Sequence, residues 1–154
     1  MTQYLVLIIG LTMLSTAAAA QTAEAPISTS VNSEEGEYLV DGGGMSLYLF
    51  KADAQGRGDK QPVSACNDGP CIGTWPPLLS DSAPAGDGKV DTEMLGTMTR
   101  EDGTTQVTYN GWPLYYYYED AGPGDILGDD IESFGEDWYL IGPHGNRPGK
   151  DRDD

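Results

Sequence analysis

The chain has 154 residues, 25 acids against 8 bases and a formal net charge of -17. That length allows one core of about 100 residues plus tails. The acidic balance excludes nucleic acid and anionic lipid headgroups as partners, since both need clustered Lys and Arg, and fits a solvated surface that attracts cations or basic partners.

Residues 1–20 carry no charged side chain, and the apolar run over 5–14 ends in the small-residue stretch STAAAAQ. This predicts a secretory signal cleaved after Ala20 and a periplasmic or secreted protein. A membrane span needs about 20 apolar residues, whereas this run breaks at Thr12 and Ser15. The membrane is therefore met only through the export signal. Residues 21–36 read as a disordered spacer and 144–154 as a disordered tail, which leaves 37–143 as the folded unit.

Within that unit, EYLV at 37–40 and SLYLF at 46–50 form a predicted hairpin around DGGGM. TQVTY at 105–109 and PLYYYY at 113–118 form a second around an Asn-Gly corner. Further strands are predicted at 89–94, 98–100 and 138–141. No long stretch shows a 3.6-residue period, so helix amounts to a turn or two. WPPLL at 75–79 contains two prolines and cannot be a central strand; it is expected to lie extended across the core, anchored by Trp75.

The two hairpins are copies of one unit. GMSLYLFKAD at 44–53 returns as GWPLYYYYED at 111–120, followed in each case by a small-residue exit and later by a tryptophan, Trp75 and Trp138. The expected fold is all-β, a small antiparallel sandwich or partly closed barrel built from two tandem repeats at about 37–80 and 104–143. Cys66 and Cys71 flank an N-D-G-P turn. In an exported chain they are expected to form a disulfide, worth about 2 kcal/mol by loop closure, with thiol redox chemistry as the weaker alternative.

Side chains alternate along a strand, so Tyr48 and Phe50 share one face, as do Tyr115 and Tyr117. These rings are either core or an aromatic platform for sugars or apolar ligands, with Trp112, Tyr116, Tyr118, Trp75 and Trp138 as candidate contacts. Asp53 and Asp120 suit an Asx turn at the strand exit. Asp120, Asp125, Asp129 and Asp130 offer a calcium alternative, although their spacing is not that of an EF-hand; no other cofactor is expected. The single histidine, His144, lies in the predicted tail. That argues against a histidine triad, a multi-histidine metal site or blue copper, and no catalytic residue is expected.

With the hairpins, CNDGPC, WPPL and the DGTTQVTYNGWPLYYYYED stretch in view, the chain resembles the bacterial secreted-repeat or predicted-lipoprotein family described by a Y-x-[FWY]-x-x-D motif. Here the motif is Tyr48, Phe50 and Asp53, then Tyr115, Tyr117 and Asp120. The resemblance implies a small exported envelope protein with no established activity. Many relatives carry a lipid-anchoring cysteine at the cleavage site; this chain has Gln21 there and no cysteine before Cys66. The expectation is a monomeric, non-catalytic module that binds an envelope partner or small ligand through aromatic strands and acidic loops. The alternative is a purely structural or stress-related envelope protein.

Overall fold

The computed structural model describes residues 27–32 and 34–149. The predicted signal peptide, the first part of the spacer and the end of the tail lie outside the described residues. Three small antiparallel sheets make up the fold. The first pairs β1 (Ser28–Asn32) with β2 (Gly36–Val40). The second has the order β3 (Tyr48–Phe50), β8 (Glu136–Leu140), β7 (Ile131–Ser133). The third runs in sequence order through β4 (Leu95–Thr99), β5 (Thr105–Tyr109) and β6 (Trp112–Pro113). The second sheet joins the first repeat to the end of the second, with Tyr48 opposite Leu140 and Phe50 opposite Trp138.

The sheets do not close into a barrel. Single bridges join them instead: Val40 with Ser46 at the first corner, Tyr48 with Tyr115, and Pro77 with Tyr115. The prolines explain why the 74–80 segment makes no regular ladder. Pro76 and Pro77 have no N–H to give, so Pro76 contributes only its carbonyl, to Tyr116 N (2.8 Å). Leu78 N–H donates to Leu114 O and Tyr118 N–H to Thr74 O, while Leu78 O accepts from Val107 N. The segment thus lies extended between 114–118 and 105–107, with Trp75 fully buried as its anchor.

The predicted 113–118 strand is correspondingly divided. Only Trp112 and Pro113 pair regularly with β5, around a two-residue turn in which Asn110 and Gly111 both have positive φ (49° and 76°). The expected strand at 89–94 is a run of turns, because the Asp91 carboxylate accepts the Glu93 amide (3.0 Å) and Met94 N–H donates to Asp91 O. The N-D-G-P sequence starts a helix as well as a turn. Asp68 caps α1 (Gly69–Thr74) by accepting Cys71 N–H at 2.8 Å, and Pro70 occupies its first turn. Cys66 and Cys71 form the disulfide.

Two terminal segments also differ from the sequence expectation. Part of the spacer forms β1, whose polar STSVN sequence carries no hydrophobic period and finds its register on the edge of β2. Residues 144–149 are not a loose tail: Gly142 N–H donates to Asn146 O (2.7 Å), and Arg147 pairs with Asp129 and Asp130. Ion pairs, backbone hydrogen bonds and the seating of Arg147 over the Tyr139 ring hold this segment, which apolar patterning does not reveal.

Strand alternation divides the interior into two cores. Tyr48, Phe50, Tyr115 and Tyr117 face one, with Tyr38, Trp75, Trp138 and Leu140. Leu47, Leu49 and Leu114 face the other, with Leu39, Val107, Tyr109 and Ile141. The motif strands are covered on both sides, as fits sequences apolar on alternate and intervening positions alike.

Candidate functional site

The repeat motif is a reciprocal lock. Tyr48 Oη donates to Asp120 Oδ2 (2.7 Å), and Tyr115 Oη donates to Asp53 Oδ2 (2.8 Å). Each motif tyrosine therefore finds its carboxylate in the other repeat. Their backbones cross at the same place, Tyr48 and Tyr115 exchanging both N–H to carbonyl bonds (2.9 and 3.0 Å). The remaining carboxylate oxygens cap loop amides, Asp53 Oδ1 taking Ala65 N–H and Asp120 Oδ1 taking Leu127 N–H. The aspartates thus do cap backbone, but that of distant loops rather than of a local Asx turn.

The rings follow the same exchange. Phe50 stacks on Trp138 at 3.9 Å, Trp138 on Trp75 at 4.0 Å, and Tyr117 tilts against Trp75 at 4.4 Å. Tyr48 meets the edge of Trp75, and Tyr115 that of Trp138. Both indole N–H groups donate to Ser133. Trp75 and Trp138, candidate ligand contacts in the sequence, are instead the centre of the core.

Burial pushes the Asp53 carboxyl up to about 7, against the opposing pull of the Ala65 amide, the Tyr115 hydroxyl and the Arg100 charge. Burial likewise raises Asp120, which Tyr48 and the Leu127 amide hold down. Tyr48 and Tyr115 are raised by burial and by their carboxylate partners. Arg100, only 4% exposed, donates to Cys66 O, Asn67 Oδ1, Ser64 Oγ and Gln106 Oε1. It ties the disulfide loop to β5. Among the described residues no buried side-chain polar atom lacks a partner.

Of the other sequence candidates, Tyr116 is half-buried and donates to Asp41 Oδ2, whereas Tyr118 is 59% exposed. The acidic side chains after Asp120 are dispersed among protein contacts. Asp125 caps the Ala121 and Gly122 amides, and Asp129 accepts Leu140 N–H and pairs with Arg147. No group of three or more metal-ligating side chains forms among the described residues.

A groove lies elsewhere among the described residues. It encloses about 1030 Å³ and runs between the exit loop of the first repeat, the corner of the second and the 143–147 segment. Hydrogen bonds join these segments. Gly56 N–H donates to Gly111 O (2.9 Å), Gln55 Nε2 to Asn110 O (2.7 Å) and Asn110 Nδ2 to Gly145 O (3.0 Å). A Cβ on Gly111 would sit 2.0 Å from Gly56 O, so only glycine permits this approach. The other hairpin corner mirrors the arrangement: Gly44 packs on Pro123, and Ser46 Oγ donates to Asp125 O. Each corner rests on the other repeat's exit loop.

Of the candidate aromatics only Trp112 lines the groove, joined by Lys51, Arg57, Tyr139, His144 and Arg147. Arg147 lies over the Tyr139 ring at 4.1 Å. These partners were not identifiable from motif reading. The available signal was compositional: three of the chain's eight bases and its single histidine meet here, against Glu93 as the only acid.

Interlocked hairpins with a duplicated Tyr–Asp exchange define a two-repeat all-β module. A family described as a secreted repeat of unknown function matches residues 29–79 and 96–141, more than half of the chain, and the chain belongs to that family. No curated protein and no solved structure matches it. Among the described residues no helix is long and apolar enough to cross a membrane.

Proposed function

We propose that this secreted-repeat protein is a non-catalytic binding module of the periplasm or cell exterior, and that its ligand site is the groove between the Arg57 loop and the Asn110–Gly111 corner. The observation that carries the reading is the construction of this groove. Both repeats contribute to it, the backbone contact of Gly56 with Gly111 and the Asn110 side chain on Gly145 join its segments, and half-buried Trp112 and Tyr139 line it. Preformed concavities with a few aromatic and polar groups are the usual form of ligand sites.

Trp112 supplies the test, since Trp75 and Trp138 are fully buried. The mature protein is titrated with acidic and neutral oligosaccharides, dicarboxylates and short peptides while tryptophan emission is followed. A saturable change that disappears in Trp112→Phe supports the groove. A response that survives the substitution, or no response to any of these probes, overturns it. The burial of all six motif side chains favours a second reading for the motif alone, a structural role as the lock between repeats.

A further inference from the structure

Resting on the groove as the ligand site, we infer that the ligand is an acidic oligosaccharide, bound through Lys51 and Arg57 at its carboxylates and through Trp112 at its sugar rings. The charge balance is the first ground. The chain as a whole has 8 bases to 25 acids, yet the groove presents Lys51 and Arg57 against Glu93 alone, the Arg147 charge being met by Asp129 and Asp130. A cationic patch on so acidic a protein focuses anions locally while the surrounding field repels densely charged ones.

The second ground is which of these cations are free. Arg147 is committed to Asp129 and Asp130 and to the face of Tyr139, so it serves as a wall of the groove. Lys51 and Arg57 are exposed and make no ion pair among the described residues. Arg57 is nevertheless held in place: its Nε donates to Gln55 Oε1 (2.7 Å), and Gln55 Nε2 donates in turn to Asn110 O. The Nη edge is left open in the fork geometry that suits a carboxylate.

The third ground is size and lining. At about 1030 Å³ the groove matches the upper end of ligand pockets, which run to about 1,000 Å³. Two cations on different residues of the first repeat, beside the half-buried Trp112 ring and the Asn146 amide, suit a chain of rings with one charge each and hydroxyls between. A compact phosphate cluster would need its counter-charges gathered at one point.

Calorimetry with the mature protein tests this, using oligogalacturonate, a maltooligosaccharide of equal length and tripolyphosphate as probes. Oligogalacturonate is expected to bind, to weaken as salt is raised and to bind at least about tenfold more weakly to a Lys51→Gln, Arg57→Gln variant. Both side chains are exposed, and circular dichroism checks that the variant is folded. Equal affinity for the neutral sugar, or an unaffected double variant, overturns the inference. Binding of tripolyphosphate alone rejects the saccharide class but leaves the groove standing. No binding to any of the three also overturns it, and the Trp112 titration with the wider set of probes separately decides whether the groove binds anything.

Discussion

Replacing Tyr115 by Phe removes the hydroxyl that crosses from the second repeat to Asp53 while keeping the ring against Trp138. The loss should depend on pH. Burial pushes Asp53 up to about 7, so the folded chain keeps a proton that the unfolded chain releases near the ordinary carboxylate range. The unfolded state then binds fewer protons, and stability falls as pH rises from about 4 to about 7, by about 4 kcal/mol over three decades. The Tyr115 bond is one of the contacts that favour the charged form, and the charged form is where its removal is felt most. Tyr115→Phe should cost about 1 kcal/mol at pH 5, where Asp53 is neutral, and about 2–3 kcal/mol at pH 8, where a buried carboxylate oxygen loses its donor. Urea unfolding followed by tryptophan emission at the two pH values measures both numbers, and in an Asp53→Asn background the difference between them should vanish. Equal losses at pH 5 and pH 8 in the otherwise native chain would refute the coupling between this tyrosine and this carboxylate.

Gly111→Ala should lower stability by more than about 2 kcal/mol in a thermal melt, because the new methyl meets Gly56 O as well as an unfavourable φ; Gly103→Ala, with a similar φ but open space, should lose only about 1 kcal/mol. Converting Cys66 and Cys71 to serine should cost about 2 kcal/mol, and reductant should produce the same shift in the native protein but none in the variant. Tyr118→Ala should stay within about 0.5 kcal/mol of the native stability, since that ring is exposed, whereas Trp138→Ala should cost about 3–5 kcal/mol by leaving a hole beneath Phe50 and Trp75.

The duplicated Tyr-x-aromatic-x-x-Asp stretch was legible because alternation and repetition are properties of the chain itself. Leu47 and Leu49 were bound to face away from Tyr48 and Phe50, and the Asn110–Gly111 pair was bound to turn a tight corner. Acidity and the close pair of cysteines were readable on the same terms. Which repeat would supply the aspartate for each tyrosine was not, since Tyr48 lies near Asp53 in sequence but bonds Asp120 across the molecule. The same holds for the groove. Lys51, Arg57, Tyr139 and Arg147 belong to separate segments with no shared period, and the Gly56–Gly111 backbone contact and the Asn110 side chain on Gly145 bring those segments together. Local sequence thus determined the alternation of the motif strands and the Asn110–Gly111 corner; the tertiary structure placed β2 and β3 in different sheets, joined at the Val40–Ser46 bridge, and buried the motif rings. Only the tertiary structure decided that the hairpins exchange their motif partners, and that the space left beside that exchange is basic in an acidic protein, because long-range hydrogen bonds and close glycine contacts have no counterpart in the spacing of residues along the chain.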